Sequence, residues 1–102
     1  MIAFSRFRVA DAAASGFEAR AEAAASFFRT RPGCVSAEVL RNLDDPDLWG
    51  LLSRWENVGS YRRAYNGNEA KLVLMPLMAD AVDEPGAFDA PSAAGGNVPR
   101  SR

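Results

Sequence analysis

Strand, helix, strand, strand, helix, strand is the order that three features of the sequence predict. It places the chain in the α+β class as a ferredoxin-like βαββαβ sandwich, one antiparallel sheet with both helices on one face. The first feature is a helix-periodic stretch, Phe17, Ala21, Ala24 and Phe28, set between two short apolar segments. The second is a pair of strand-like segments joined by Asn42-Leu43-Asp44-Asp45-Pro46, a turn with no room for a helix. The third is the stretch from Leu48 to Trp55, apolar on both of its alternating faces.

Each element follows from local chemistry. Ile2, Phe4, Phe7 and Val9, with Arg6 and Arg8 between them, read as a first strand, because the run is short and aromatic. Ser15-Gly16-Phe17-Glu18 has the form of a capping box and predicts a helix from about Gly16 to Thr30. Arg29 and Arg31 suit the negative C-terminal end of that helix, and Pro32-Gly33 stops it. Cys34, Val35, Ala37, Val39 and Leu40 form the second strand.

In the third strand Trp49, Leu51, Ser53 and Trp55 share one face, and Leu48, Gly50, Leu52 and Arg54 the other. Asn57 caps a second helix that holds Tyr61, Ala64 and Tyr65 and ends at Asn66-Gly67. A short helical continuation from about Glu69 to Met75 meets Pro76. Ala81-Val82 and Ala87-Phe88 then suggest a fourth strand, interrupted by Pro85-Gly86 and so placed at an edge. Residues 1–89 make up the domain. The small and polar residues of 90–102, with Gly95-Gly96, are expected to be a disordered tail.

Helices on one side of the sheet leave its second apolar face uncovered. A second copy of the chain, sheet against sheet, is the simplest cover, and the expected assembly is a homodimer. Size points the same way: 102 residues bury only about 60–65% of their unfolded surface, so the core is modest and a partner subunit helps it.

Composition removes several function classes. A formal charge of −1, with twelve basic and thirteen acidic residues, gives no general attraction for nucleic acid or anionic lipid. No run approaches twenty apolar residues, so no membrane-spanning helix is expected. The start Met1-Ile2-Ala3-Phe4-Ser5-Arg6 has no secretory pattern, and the chain is expected in the cytoplasm. There is no histidine, and Cys34 is the only cysteine. Intrachain disulfides, Cys/His zinc sites and histidine-dependent triads are therefore excluded. Cys34, with no histidine as its base, reads as an inert thiol, and Asp44-Asp45-Pro46-Asp47 reads as a solvated turn and not a calcium loop.

Arg31-Pro32-Gly33-Cys34-Val35-Ser36-Ala37-Glu38-Val39-Leu40, Leu51-Leu52-Ser53-Arg54-Trp55-Glu56 and Ser60-Tyr61-Arg62-Arg63-Ala64 together resemble the antibiotic biosynthesis monooxygenase domain family of dimeric α+β barrels. Its pattern is a Pro-Gly before the second strand, a third strand ending in Trp-Glu, and an aromatic residue six positions after that Trp. Trp55 and Tyr61 have that spacing, and the likeness covers about Met1 to Phe88. The resemblance implies a homodimer with a small-molecule pocket between each sheet and its helices. It also implies a cofactor-independent monooxygenase of a small aromatic or quinol-like substrate, with no cofactor and no metal.

Trp55 and Tyr61 are the catalytic residues so implied, with Phe4, Arg6, Leu51 and Tyr65 as substrate-binding residues. The family's Asn four residues before the Trp is Leu51 here, which removes a side-chain donor for a carbonyl or oxyanion. The family's haem degraders hold iron through a histidine, which this chain lacks. Two alternatives stay open on the residues themselves. Trp55 either stacks on a flat ligand or packs in the core, and Tyr61 either reaches into a pocket or rests its ring on the core with a wet hydroxyl. A dimeric barrel that binds a small molecule or serves as an assembly unit, without turnover, is the second functional reading.

Overall fold

Residues 1–94 are described by a computed structural model of the chain. β1 (Ile2–Arg8), β2 (Cys34–Arg41), β3 (Leu48–Trp55) and the short β4 (Ala87–Phe88) form one antiparallel sheet in the order β2-β3-β1-β4. α1 (Ala14–Arg29), α2 (Val58–Arg63), α3 (Asn68–Val73) and α4 (Met75–Met78) complete the domain. This is the expected α+β, ferredoxin-like arrangement.

α1 lies on the sheet with Phe17, Ala21, Ala24, Ala25, Phe27 and Phe28 buried. Three of these are alanines, which let the helix axis approach the strands closely, while the phenylalanines fill the space at either end. Phe17 meets Phe7 and Trp49 at ring distances of 5.0 and 5.5 Å. The anticipated capping box does not form. α1 starts before Ser15, with Ala13 at its N-cap and no side-chain cap, after a 3₁₀ turn over Asp11–Ala13. The run Ala12-Ala13-Ala14 continues a helix at little cost, and this outweighs the single hydrogen bond that Ser15 would have contributed.

Gly33 adopts φ +88°, a left-handed conformation that suits glycine, and its carbonyl accepts from the Glu56 N–H at 2.9 Å. That bond ties the start of β2 to the end of β3. In the β2–β3 hairpin, Asn42 Oδ1 accepts from the N–H groups of Asp44 and Asp45, both at 2.8 Å, and Arg8 pairs with Asp45. The acidic turn is thus held by its own backbone and a neighbouring arginine. Asn57 caps α2 as expected, its side chain accepting from the Ser60 N–H at 2.8 Å.

Two details depart from the sequence reading. Pro76 does not end the helical stretch but sits in the first turn of α4, where its missing N–H costs nothing. The fourth strand keeps only Ala87–Phe88. Ala81 and Val82 are outside it, although the Val82 N–H donates to the Arg6 carbonyl at 2.8 Å. Residues 83–85 make no backbone hydrogen bond to β1, Pro85 having no N–H to give, and pairing resumes where the Phe4 N–H donates to the Gly86 carbonyl at 2.7 Å. In the predicted tail, Pro91–Ala94 makes one helical turn, and residues 95–102 lie outside the described residues.

The sheet face away from the helices carries Ile2, Phe4, Leu40, Leu48, Leu52 and Phe88, and no helix among the described residues covers it. Phe4 lies flat over Gly50, where a Cβ would come within 2.5 Å of the ring. Phe88 is 55% exposed. Among the described residues no helix is long and apolar enough to cross a membrane.

Candidate functional site

At the end of the core where β3 stops, four aromatic rings pack edge to face. Phe28 meets Trp55 at 5.3 Å and Tyr65 at 5.9 Å, and Tyr61 meets Trp55 at 5.7 Å and Tyr65 at 5.3 Å. Trp55 is placed there by strand alternation, since it shares its face with Trp49, Leu51 and Ser53, all buried beneath the helices. Tyr61 and Tyr65 are four residues apart on α2 and the turn that follows, so their rings meet on one side, edge to face.

Beside this cluster is a cleft of about 480 Å³, walled by Ser5 of β1, Tyr61, Met78 and the segment from Ala81 to Ala87. It exists because residues 83–85 leave the backbone pairing with β1 between Val82 and Gly86. Asp83 and Glu84 are among its lining residues. The Arg6 guanidinium grips Glu84 through two hydrogen bonds of 2.7 Å, which hold the Glu84 carboxyl below the usual carboxylate range and push the arginine's own ionisation up.

The six residues singled out from the sequence do not converge on one surface. Tyr61 alone lines this cleft. Trp55 is only 3% exposed and stands behind Tyr61, its indole N–H donating to Ser53 Oγ at 2.8 Å. Tyr65 also lies behind Tyr61, and their hydroxyl oxygens are 3.1 Å apart. Burial, and then the adjacent Tyr61, push the Tyr65 phenol well above the ordinary tyrosine range. Leu51 is 2% exposed and belongs to the core.

Phe4 and Arg6 lie on the opposite face of the sheet, opposite Leu52 and Gly50 of β3. There they border a second, apolar cavity of about 370 Å³ with Leu40, Leu43 and Leu48. Only through Glu84 does Arg6 reach the first cleft. The wall contributed by Met78, Asp83 and Glu84 had no separate signal in the sequence beyond the Pro85-Gly86 break, and Ser53 as the partner of Trp55 was visible only as a polar residue on an apolar face.

Among the described residues no three His, Cys, Asp or Glu side chains cluster as metal ligands would. Cys34 is partly buried, and that burial pushes its thiol up, away from the reactive thiolate. The residues with polar side chains that line the cleft are Ser5, Tyr61, Asp83 and Glu84.

No curated protein sequence matches this chain. Among solved structures it is similar to SnoaB, a cofactor-independent oxygenase from Streptomyces nogalater, at 29% identity and a TM-score of 0.73. That match covers 87% of this chain and 90% of the other. It also superimposes on a conserved protein from Methanosarcina mazei at 17% identity and a TM-score of 0.69, covering 84% of each chain. A further match is Rv0793 from Mycobacterium tuberculosis, at 17% identity and a TM-score of 0.66, with 84% and 86% covered. The last two establish likeness of fold alone. The sequence pattern of the antibiotic biosynthesis monooxygenase family matches residues 1–72, which run from β1 into α3. By that match, over most of its length, the chain belongs to the antibiotic biosynthesis monooxygenase family.

Proposed function

We propose that this protein is a cytoplasmic homodimer that oxygenates a small aromatic or quinol-like substrate without a cofactor, in the cleft walled by Tyr61. The observation that carries the reading is the cleft itself: a ring-sized space with one phenolic hydroxyl on its wall and a packed aromatic cluster behind. An electron-rich ring, once deprotonated, supplies electrons to dioxygen by itself. The protein then has only to exclude water, orient the ring and hydrogen-bond its oxygen. Tyr61 supplies that hydrogen bond. Trp55 and Tyr65 keep Tyr61 in place, and Leu51 packs in the core where the family's Asn would stand. Membership of the family and the similarity to SnoaB support the same reaction class. The uncovered apolar face with Phe4, Leu48 and Leu52 supports the dimer.

Leu51 also favours a second reading, a dimeric barrel that binds a small aromatic ligand without turnover, because a site short of one donor stabilises an oxyanion less well. Oxygen uptake separates the two. Purified protein incubated with a panel of hydroxyanthracene-type substrates and quinols is expected to consume oxygen above the autoxidation background. Tyr61→Phe is expected to lower the rate by about 10²-fold, the usual effect of losing one such donor. Uptake at background, equal in wild type and Tyr61→Phe, leaves only the binding reading.

A further inference from the structure

Tyr65 is absent from the wall of the cleft, yet its hydroxyl lies 3.1 Å from that of Tyr61, which is on the wall. Its ring is held edge-on by Phe28 at 5.9 Å and by Tyr61 at 5.3 Å. A phenol so enclosed keeps its proton, and Tyr61 is the partner with which it shares it. Resting on the reading that the cleft takes a phenolic or quinol-like ligand, we propose that Tyr65 is a positioning residue. Its hydroxyl fixes that of Tyr61 and sets the direction of a two-hydroxyl chain that ends on the ligand's oxygen.

Donor counting defines the two directions. When the ligand oxygen is a phenolate or carbonyl, Tyr61 spends its one proton on the ligand, and Tyr65 donates to the Tyr61 oxygen. When the ligand is a neutral phenol that donates, Tyr61 accepts from it and turns its own proton towards Tyr65. Both tyrosines stay protonated in both arrangements, and only the two O–H bonds rotate. The first direction is the stronger, because donation from Tyr65 polarises the Tyr61 O–H. The pair therefore favours the ligand's oxyanion, the form that reacts with dioxygen. Of the charged groups around the cleft, the Asp83 and Glu84 carboxylates work against that form, Glu84 less so because Arg6 pairs with it, while the cationic Arg62 and Arg63 on α2 favour it. The hydroxyl pair adds to this a directed donor for a negative oxygen.

The test uses p-nitrophenol, whose phenolate absorbs separately from its phenol, with wild type, Tyr65→Phe and Tyr61→Phe. Bound to wild type, the probe is expected to ionise at lower pH than when free. Tyr65→Phe is expected to lose about half to one pH unit of that shift, the equivalent of one hydrogen bond, and Tyr61→Phe all of it. Equal probe midpoints in wild type and Tyr65→Phe overturn the proposal, as does a wild type that leaves p-nitrophenol at its free midpoint. A wild-type shift that Tyr65→Phe diminishes, in a protein that consumes no oxygen, upholds the positioning role and overturns the oxygenase reading alone.

Discussion

Phe28 is the side chain on which the aromatic cluster turns, and Phe28→Ala is the most direct probe of it. The residue is 1% exposed, and its ring meets those of Trp55, Tyr61 and Tyr65 at 5.3, 6.5 and 5.9 Å. A ring that buries about 150–200 Å² at ~25 cal/mol per Å² contributes about 4 kcal/mol, and measured truncations of buried Phe fall at about 3–5 kcal/mol once the cavity is included. A domain of this size has about 5–15 kcal/mol in all, so Phe28→Ala is expected to lower the melting temperature by about 12–25 °C. Phe28→Leu, which keeps most of the volume, is expected to cost about 1–2 kcal/mol and remains measurable if the alanine variant unfolds.

Thermal and urea unfolding followed by far-UV circular dichroism give the stability. The near-UV band reports whether Trp55 and the tyrosines keep their asymmetric packing. Phe28 does not border the cleft, so any loss of oxygen uptake in Phe28→Leu acts through the placement of Tyr61. A loss below about 1 kcal/mol for Phe28→Ala, with an unchanged near-UV spectrum, would refute the idea that this cluster is a packed support for the site.

Gly33→Ala forces a side chain into the left-handed region and brings its Cβ to 2.3 Å from Ser60 Oγ at the start of α2; the expected cost is about 2–5 kcal/mol by chemical denaturation, partly recovered by adding Ser60→Gly. Wild type is expected to run in light scattering at twice the 11.0 kDa chain mass, and Leu52→Arg, on the uncovered face opposite Phe4, at the mass of one chain with its far-UV spectrum kept. A wild-type monomer at micromolar concentration contradicts the dimer. Acid should weaken the fold in a defined way. The Asp45 carboxyl is held below its ordinary value chiefly by the Arg8 hydrogen bond, and Glu84's by Arg6, so their stabilising contribution is present above about pH 4 and is lost as pH falls through the lowered native values. The stability difference between wild type and Arg8→Gln is therefore expected to shrink from pH 7 to pH 3, and a constant difference contradicts the pairing.

Local chemistry alone determined the order of elements. Alternation placed Trp49, Leu51, Ser53 and Trp55 on one face, four-residue spacing placed Phe17, Ala21, Ala24 and Phe28 on another, and Asn57 marked the start of α2, because these are properties of residues close in the chain. The start of α1 differs from the expected one for a related reason: a capping box competes with flanking alanines, and the two starts differ by about the strength of one cap hydrogen bond.

Which of those residues face one another is settled by tertiary packing. Phe4 and Arg6 share β1 with Ser5 but point to the other side of the sheet, so their expected neighbourhood with Tyr61 does not arise. The cleft is made where residues 83–85 leave β1, by residues nearly eighty positions away from Ser5. Tyr61 and Tyr65 could be paired from their spacing, but that Tyr61 lines the cleft and Tyr65 does not depends on where the Ala81–Ala87 segment runs. Faces are set by the backbone's own period, whereas a cavity is set by where distant segments fail to fill space, and that is why the chain reads clearly as a fold and only partly as a site.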